Sequence, residues 1–548
     1  MPELILGPLL RYVGETDAVI WVETDGPCEV EVLGARERTF RVCGHHYALV
    51  CPGGLEPATW FEYEVTLDGE RVWPKADSVF PPSAFRTYPK EGPLHVVFGS
   101  CRVAAPHEPP FSLRKDEHPR GREIDALRTL ALHVKDEPRE RRPDVLLLLG
   151  DQVYADELPP TTSDLVASRR DPAEPPGERV VDFEEYTQLY RDSWSDPAMR
   201  WLLSTVSTAM IFDDHDVHDD WNISAAWVEE MRSHEWWREH IVAALMSYWV
   251  YQHLGNLSPS AHLEDGLLKR VREEADGERA LREFAERAAR ETSGTRWSYC
   301  RDLGRTRLLV IDSRAGRVLE EGRRSMVDEE EWAWIEERAT GGFDHLLIAT
   351  SLPWLLGTGM HYVEAWSEAV AAGAWGKRLT GLAERARRAV DLEHWGAFQG
   401  SFARLGELQR AVGAGERGEA PATIVTLSGD VHHAYLFEVA FRPEAGVRSA
   451  VWQAVCSPYR NPLDARERSV IRLGMSRPFA AAARALAHGA GVPDPEIRWR
   501  LTGGGPWFDN QVASLLIDGR EMRMRLDKAV PVDSREARLE RVLDRRLA

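Results

Sequence analysis

The first 67 residues alternate short apolar runs with turn residues. The runs are AVIWVET, CEVEVLG, TFRVCG, YALVCPG and WFEYEVTLDG, and Gly, Pro or Asp residues separate them. Short strands with a turn signal roughly every 8–12 residues are typical of a small antiparallel β-sandwich. The N-terminal part of the chain is therefore predicted to be all-β.

A proline-rich stretch follows the last of these runs. The segment VWPKADSVFPPSAFRTYPKEGP contains five prolines, which is the composition of an extended linker. We place a domain boundary near residue 92. The chain is then predicted to hold an N-terminal domain with its linker at residues 1–92 and a second, larger domain at residues 93–548.

The second domain repeats a unit of buried strand, loop and helix. It opens with the strand LHVVFGSC and the helical pattern IDALRTLALHV, followed by the apolar run VLLLLGD, which is typical of a strand covered on both faces. Further buried strands are predicted at TAMIFDD, TRLLVIDS, HLLIATS and TIVTLSGD. Such units indicate a layered α/β core. Four strands end in polar clusters (GSC, GD, DDHD and SGD), and the sites of open α/β sheets lie just beyond strand carboxyl ends.

For several other segments the sequence predicts secondary structure but no functional role. Residues 156–181, rich in Pro, Arg and Asp, are predicted to form a long surface loop. The segments LEDGLLKRVREEADGERALREFAERAARE and LAERARRAVDLEH have apolar residues at helical spacing and are predicted to be solvated helices. The segment VASLLIDGREMRMRL alternates around an Asp-Gly turn and predicts a β-hairpin. The tail RLERVLDRRLA is predicted to be a short exposed helix.

Composition narrows the range of functions. The 548 residues are 43% hydrophobic and 28% charged, as in a folded globular protein. The net charge of −20 argues against broad nucleic-acid binding, which needs a basic surface. The six cysteines form no CxxC pair, so a disulfide framework is not indicated, although a bridge among the three in the first 51 residues is compatible with the sequence. No signal peptide and no apolar stretch of about 20 residues is seen, which predicts a cytoplasmic protein without membrane contact.

The segment GDQVYAD places Asp151 and Tyr154 directly after a buried strand. One turn of loop can direct both side-chain oxygens to one centre, and a phenolate ligand suits a hard, highly charged ion such as ferric iron. The alternative is that Asp151 caps the next helix and Tyr154 packs in the core.

The segment FDDHDVHDDWN contains five Asp and two His residues. Clustered carboxylates repel one another unless cations neutralise them, so the segment favours metal binding over a solvated acidic loop. His215, between Asp214 and Asp216, is a candidate metal ligand or proton donor.

The segment TLSGDVHHAYL places Asp430, His432 and His433 just past another apolar strand. Strand alternation predicts Asp430 and His432 on one side and His433 on the other. His432 is therefore the predicted ligand, and His433 is a candidate for contacts behind the ligands or for a further ligand. The alternative is that the His pair is structural or lies on the surface.

The segment VVFGSCR offers Cys101 and Arg102 at a strand end. A buried free cysteine usually serves in packing, but beside a metal cluster Cys101 is a candidate thiolate ligand. The planar fork of Arg102 is suited to holding phosphate oxygens.

The four clusters GSC, GDxxY, DDHD and GDVH, in this order, resemble the alkaline phosphatase D-like (PhoD-like) phosphatases. These are relatives of the purple acid phosphatases within the calcineurin-like metallophosphoesterases. The resemblance covers residues from about 94 to 527. It implies an α/β (α+β) fold, a layered β-sandwich flanked by helices, with the catalytic domain at residues 93–548. The N-terminal sandwich resembles the fibronectin type III-like module that precedes this domain in the family.

The resemblance also implies a metal centre with two sites. Asp151 would bridge two metals, and Cys101, Tyr154 and His432 would complete the first site around ferric iron. Asp214 and Asp430 would hold calcium in the second, although other divalent metals are alternatives. Calcium prefers the oxygen ligands that these carboxylates supply.

Two departures from the family pattern concern the second site. Thr350 and Ser351 stand where many metallophosphoesterases present a ligating histidine. Asp219 and Asp220, followed by Asn222 after one Trp, stand where family members often carry an Asn pair, and the sequence does not say which of the three reaches the metal. Secreted relatives carry a twin-arginine signal, which is not seen here.

The predicted function is hydrolysis of a small phosphate ester by metal-activated hydroxide. His215 would face the substrate and protonate the leaving group, and Arg102 would hold the non-bridging oxygens. One alternative is a phosphodiesterase or phospholipase D-like activity from the same cluster. The other is a metal-binding interaction protein that has lost catalysis. No nucleic-acid partner is expected.

Overall fold

The computed structural model describes residues 2–532 and 537–548. The N-terminal part is all-β, as predicted, and its strands pair as two four-stranded antiparallel sheets, β1-β2-β6-β5 and β4-β3-β8-β9, and a small β10-β7 ribbon. The strands are β1 Leu4–Val13, β2 Ala18–Thr24, β3 Glu29–Val32, β4 Ala35–Arg38, β5 Phe40–Val42, β6 His45–Val50, β7 Trp60–Glu62, β8 Val65–Leu67, β9 Glu70–Trp73 and β10 Ala84–Arg86. The three cysteines of this part, Cys28, Cys43 and Cys51, are free.

The proline-rich stretch is packed against the protein along part of its length. Its strand β10 pairs with β7, and the carbonyl of Pro81 accepts a hydrogen bond of 2.8 Å from the Trp201 indole. The prolines predicted an extended backbone. In the structure this segment forms one strand of a two-stranded ribbon and contacts helix α4.

Two mixed sheets form the centre of the remaining chain, in the orders β13-β12-β11-β21-β22-β23 and β14-β15-β16-β17-β19-β18-β20. Strands β11, β12 and β13 run parallel in the first sheet, and β15, β16, β17 and β19 run parallel in the second. The strands are β11 Leu94–Gly99, β12 Val145–Leu149, β13 Ser207–Ile211, β14 Tyr299–Leu303, β15 Thr306–Val310, β16 His345–Ala349, β17 Thr423–Ser428, β18 Ala434–Ala440, β19 Ala450–Val455, β20 Arg498–Trp507, β21 Gln511–Asp518, β22 Glu521–Pro531 and β23 Ala537–Arg546.

Helices flank these sheets. They are α1 Ala126–Val134, α2 Pro160–Arg169, α3 Phe183–Trp194, α4 Pro197–Thr205, α5 Ala225–Ser233, α6 Trp237–Tyr248, α7 Leu254–Asn256, α8 Pro259–Glu264, α9 Gly266–Glu273, α10 Glu278–Ala288, α11 Glu329–Arg338, α12 Thr358–Ala371, α13 Lys377–Ala389, α14 Gln399–Ala414, α15 Ala465–Gly474 and α16 Arg477–Gly489. Among the described residues, each helix is too short or too polar to span a bilayer.

One apolar core lies between the two sheets. It contains Leu147 and Leu515 from the first sheet and Leu347 and Val425 from the second, all of them buried. The predicted layered α/β architecture with flanking helices is confirmed. All six buried strands named from the sequence in this part of the chain form, because each is apolar on both faces and is covered on both.

Three structural predictions need correction or refinement. The tail predicted as a helix is the strand β23, because its backbone completes the open edge of β22, and tertiary pairing overrides local helix propensity. The predicted loop at residues 156–181 contains helix α2, which opens with a proline at its first position. The charged segment after residue 262 is two helices, α9 and α10, rather than one. The predicted hairpin of β21 and β22 is confirmed.

Candidate metal centre

The carboxyl ends of the parallel strands bring the predicted ligands together. Ligand atoms of Cys101 after β11, Asp151 after β12 and His432 after β17 all lie within 4.8 Å of one another. The Tyr154 hydroxyl donates a hydrogen bond of 3.3 Å to Asp151 Oδ2. The four residues predicted for the first metal site therefore share one place, where loops of both sheets meet.

The backbone of these loops has an uncommon conformation. Cys101, Asp151, Asp430 and His432 all have a positive φ, between 50° and 65°. Non-glycine residues adopt this left-handed region rarely, and do so mainly where surrounding structure holds them at functional sites. Asp430 and His432 follow the end of β17 in a tight turn, so the turn, and not strand alternation, places them on one side.

Two glycines allow the loops to approach each other. A Cβ on Gly150 would lie 2.4 Å from the Cβ of Asp213, and one on Gly429 would lie 2.0 Å from Ser100 Oγ. Gly150 also has a φ of +101°. The glycine of each GD pair is thus required by close packing of neighbouring loops.

We expect Gly150→Ala to lower the free energy of unfolding by about 2–4 kcal/mol, because the new methyl group adds both a clash and backbone strain. Urea denaturation of the metal-free protein measures this change. Gly26→Ala is the matched control, since a Cβ there meets no atom within 4 Å, and its effect should stay within about 0.5 kcal/mol. Equal stability of the two variants would contradict the packing argument.

The first group of ligands is poorly satisfied without a cation. Asp151 Oδ1 is buried and accepts no hydrogen bond. Burial, together with the neighbouring carboxylates Asp214 and Asp216, raises the pKa of Asp151 well above its usual value, although His215 opposes the shift. Burial likewise raises the pKa of the Cys101 thiol and of the Tyr154 hydroxyl. A bound cation reverses this preference, because it favours the ionised ligands.

His432 completes a donor set that fits a transition ion. Burial lowers its pKa to about 4, so the imidazole is neutral and has a free lone pair, the form that binds metals. A thiol, a phenol, a carboxylate and an imidazole around an unsatisfied buried oxygen suit an ion such as iron. The residues predicted for the first site therefore fit the metal that the family resemblance implies.

A second group of ligands centres on Asp214. Its carboxylate lies within 4.8 Å of ligand atoms of His215 and Asp219 and, on another side, of Asp151 and Asp213. Asp214 Oδ1 is buried without a hydrogen bond, while Oδ2 accepts the backbone N–H of residue 220 at 3.0 Å. The unsatisfied oxygen again suits a cation.

Asp430 faces two cationic side chains. Its Oδ1 lies 3.5 Å from Arg314 Nη2, and its Oδ2 lies 3.1 Å from His394 Nε2. Burial opposes ionisation, but these two neighbours hold the pKa of Asp430 below its usual range. Asp430 is thus ionised and firmly positioned at the meeting point of the loops.

His215 is oriented for contact with a ligand. Its Nδ1 lies 2.9 Å from Asp156 Oδ1, its ring lies 4.7 Å from the Tyr154 ring, and its side chain is 24% exposed. Burial disfavours the imidazolium, but Asp156 and Asp214 outweigh it and raise the pKa of His215 well above its usual value. The sequence did not single out Asp156, which holds this ring.

Arg102 does not take the predicted role. Its guanidinium pairs with Asp125 at 2.8 Å, donates to the Ser193 carbonyl at 2.7 Å, and is almost fully buried. These contacts use its donors to fix α1 and α3 to the strand end. The fork that was expected to hold phosphate oxygens is therefore committed to the scaffold.

Four further residues were named from the sequence as candidates for the site, and their side chains have different contacts. His433 packs against Phe508 with a ring separation of 5.7 Å, and its Nδ1 lies 2.6 Å from the Val431 carbonyl oxygen. The Asp219 side chain is 67% exposed and reaches to 3.7 Å from His215 Nε2. Asp220 contributes its backbone N–H to Asp214, and the Asn222 amide donates to the carbonyl of Arg314 at 3.0 Å. Of the three uncertain positions, only Asp219 brings a side-chain oxygen to the Asp214 group.

The sequence also missed Arg314, which is fully buried at the centre of the second group. Its guanidinium pairs with Asp213 and Glu393, and its Nη2 lies 3.1 Å from Asp214 Oδ1 at an angle that makes an ion pair but no hydrogen bond. The sequence offered one signal for Arg314. It ends the segment IDSR, which directly follows β15, just as the other polar clusters directly follow their strands.

Asp216 organises the loops from behind. It accepts the backbone N–H of Asp151 at 2.8 Å and of Asp213 at 2.9 Å, and the Gln252 side chain at 3.1 Å. Burial raises its pKa to about 6. This carboxylate therefore joins the ends of β12 and β13 and does not itself face the cluster.

A histidine from a segment without predicted chemistry also reaches the centre. His394 closes the sequence LAERARRAVDLEH, and its Nδ1 lies 2.8 Å from Glu364 Oε1 on α12. Burial disfavours the charged ring, but Glu364 and Asp430 raise the pKa of His394 well above its usual value. The helical periodicity of this segment concealed the polar residues at its end.

A known protein family matches the stretch of the chain that supplies several of these residues. Residues 131–271, which contain the GDxxY and DDHD clusters, match the family model of PhoD-like phosphatases. The predicted resemblance is confirmed. The PhoD-like region is preceded at residues 1–85 by a match to a domain of unknown function, DUF7800.

A solved structure shares the fold of this chain. A structure titled "Structure of PhoD" aligns with a TM-score of 0.59 at 12% identity, over 100% of this chain and 92% of that one. The purple acid phosphatase PPD1 from yellow lupin (Lupinus luteus) seeds aligns with a TM-score of 0.45 at 10% identity, over 97% of this chain and 73% of that one. No curated protein sequence matches the chain.

Proposed function

We propose that this protein is a metal-dependent hydrolase of phosphate esters, with its first metal site at Cys101, Asp151, Tyr154 and His432. The observation that carries the proposal is the buried Asp151 oxygen without a hydrogen bond, beside a thiol and a neutral imidazole. Such an arrangement is unfavourable unless a cation is bound. The PhoD-like match of residues 131–271 supports a phosphoesterase.

The donor set supports ferric iron at this first site, since phenolate and thiolate stabilise a highly charged ion. Asp214 and Asp430 are the proposed carboxylate ligands of a second cation. When bound, such ions lower the pKa of a coordinated water and polarise the phosphate of the substrate. Around them, Asp216 and Arg314 hold the loops in position, so that little reorganisation is needed when the substrate arrives.

His215 is the proposed proton donor to the leaving alkoxide. Asp156 fixes its Nδ1, the Tyr154 ring lies against one face, and Nε2 lies 3.7 Å from the exposed Asp219 carboxylate. A positioned acid of this kind contributes about 10²–10⁴-fold to the rate.

We expect His215→Gln to lower kcat about 10²-fold or more for alkyl phosphates and much less for nitrophenyl phosphates. A nitrophenolate departs without a proton, so its release does not depend on the acid. Steady-state kinetics over a series of leaving groups measures the difference. An equal reduction for good and poor leaving groups would exclude the proton-donor role.

Elemental analysis of protein purified without added metal, paired with assays on aryl phosphate monoesters and diesters, tests the function itself. We expect iron to co-purify and hydrolysis to be measurable. If no di- or trivalent metal co-purifies and no ester is hydrolysed even after metal addition, the proposal is wrong. The ratio of the two activities separates a phosphomonoesterase from a phosphodiesterase.

Ligation of ferric iron by Tyr154 predicts a visible colour. The phenolate-to-iron charge transfer absorbs in the visible range, so the purified protein should be purple or brown, and Tyr154→Phe should lose this band while retaining its fold. Absorption spectra and circular dichroism measure both. Tyr12→Phe, near the surface of the N-terminal sheet, is the control and should keep the colour.

A further inference from the structure

A further strand end reaches the metal centre, and the sequence did not single it out. Strand β19 runs parallel to β17 in the second sheet, and residues 456–464 connect it to α15. Parallel strands end at the same edge of a sheet, so this β19–α15 loop lies beside the loop that carries His432. Its sequence CSPYRNPLD has one carboxylate, at the last position, and no histidine. Few of its side chains are therefore of the types that bind metals.

Backbone hydrogen bonds attach the β19–α15 loop to the loop that carries Cys101. The Tyr459 N–H donates to the Ser100 carbonyl at 2.8 Å. The Arg460 N–H donates to the Cys101 carbonyl at 3.0 Å, and the Arg460 carbonyl accepts the Val103 N–H at 3.1 Å. The two segments thus pair as a short parallel bridge, which fixes the position of the residue that follows.

Side chains strengthen this attachment. Arg460 is fully buried, and its guanidinium donates to the carbonyls of Ala105 and Pro106, to the latter at 2.7 Å. A Cβ on Gly99 would lie 2.7 Å from the Tyr459 ring, so the loops also pack tightly against each other. The β19–α15 loop is therefore a rigid support of the first site.

Asn461 follows the bridge and contacts a proposed metal ligand. Its Nδ2 donates a hydrogen bond of 3.2 Å to the Tyr154 hydroxyl oxygen, and the residue is 7% exposed. The hydroxyl itself donates to Asp151 Oδ2 at 3.3 Å, so its oxygen is the acceptor towards the amide. Among the described residues, Asn461 is the one hydrogen-bond donor to this oxygen.

A donor at this oxygen has a specific effect when Tyr154 binds a cation. Binding removes the phenol proton, and the remaining phenolate can only accept hydrogen bonds. The amide of Asn461 then stabilises the phenolate charge, because hydrogen bonds to charged groups are stronger than those between neutral groups. It also draws electron density away from the oxygen, which weakens the donation of that oxygen to the ion.

We propose that Asn461 is a positioning residue of the first site, which orients the Tyr154 phenolate and reduces its donor strength towards the bound ion. The proposal rests on the proposed function, because it concerns the oxygen by which Tyr154 would bind ferric iron. A weaker donor oxygen moves the phenolate-to-iron absorption band to shorter wavelength and makes the ferric ion easier to reduce. Both properties are independent of activity.

The test compares the visible spectra of the iron-loaded wild-type protein and Asn461→Leu. Leucine has a similar volume but no donor, so the variant should keep its iron. Its band should move to longer wavelength by about 15–30 nm, which corresponds in the visible range to one hydrogen bond to a charged oxygen. A reductive titration followed at the band should show that iron is harder to reduce in the variant. A band that stays in place, or that moves to shorter wavelength, would overturn the proposal.

Asn510→Leu is the matched control. Asn510 is also buried, but its amide donates to the carbonyls of Arg122 and Ile124, at 2.8 Å and 2.7 Å. Loss of this amide should leave the position of the band unchanged. An equal shift in both variants would assign the effect to a general loss of packing and would also overturn the proposal.

A second measurement on the wild-type protein decides the case if Asn461→Leu does not fold or loses its iron. Resonance Raman excitation in the absorption band enhances the vibrations of the phenolate. An N–H donor makes the phenolate C–O stretching frequency sensitive to exchange of that hydrogen for deuterium. We expect this frequency to change after prolonged incubation in D₂O. An unchanged frequency after full exchange would show that no such donor is present.

Failure of this inference can be told apart from failure of the proposed function. If the wild-type protein is coloured, holds iron and hydrolyses phosphate esters but Asn461→Leu leaves the band in place, only the role of Asn461 is wrong. If the wild-type protein holds no metal, has no visible band and hydrolyses no ester, the proposed function fails, and the role of Asn461 fails with it.

Discussion

Replacing Asp151 with Asn is expected to lower kcat/KM for aryl phosphates by about 10³-fold or more and to reduce the iron content of the purified protein. The lost contribution of a metal ion to transition-state stabilisation amounts to several kcal/mol, and each 1.4 kcal/mol corresponds to about a tenfold change in rate. Asp151 is the residue shared by the thiol–imidazole group and the Asp214 group. Its carboxylate is therefore the largest single contributor to the proposed centre.

The same substitution should stabilise the protein once metal is removed. In the metal-free state Asp151 is a buried carboxylate with one unsatisfied oxygen and a raised pKa, and a neutral amide of the same shape avoids the repulsion from its neighbours. Thermal unfolding of the metal-free proteins measures this effect. Asp302→Asn, at an exposed ion pair on β14, is the control and should change neither activity nor metal content. Full activity and metal content in Asp151→Asn would refute the proposed centre.

Replacing Arg314 with Met is expected to lower the free energy of unfolding by about 3–5 kcal/mol, because buried carboxylates would lose their compensating charge. The guanidinium is fully buried and pairs with Asp213, Asp214 and Glu393. Urea denaturation of the metal-free protein measures the loss.

Arg323→Met provides the control for this substitution. Arg323 is 74% exposed and pairs with an exposed Glu, so its removal should change stability by less than about 1 kcal/mol. Divalent cations should restore part of the stability lost in Arg314→Met, since they neutralise the same carboxylates. A loss below about 1 kcal/mol for Arg314→Met would show that the carboxylates are protonated and need no counter-charge.

Much of the scaffold could be predicted because it follows from local patterns. Runs such as VLLLLGD are apolar at every position, and a strand buried on both faces is the arrangement that satisfies them. Parallel strands place their carboxyl ends along one edge, so Cys101 and Asp151 could be predicted to meet. The hairpin of β21 and β22 could be predicted equally well, because apolar and polar residues alternate on both sides of its Asp-Gly turn.

Prediction failed where distant parts of the chain decide the outcome. The tail has local helical character, yet it pairs with the free edge of β22, since unpaired backbone groups at a sheet edge are a strong template. Arg102 has the chemistry to bind phosphate, yet Asp125 and Ser193 take its donors. Residue type alone does not reveal which partner is nearest.

The amino-acid sequence by itself determined the kind of chemistry, through the order GSC, GDxxY, DDHD and GDVH at strand ends and the density of carboxylates that need a cation. Only the tertiary structure decided how the centre is completed. Arg314 and His394 reach it from loops about 100–200 residues away from Asp213 and Asp214, and left-handed backbone at Asp151 and the other ligands aims the side chains. The physical reason is that ligand geometry depends on loop packing between two sheets, which no local pattern encodes.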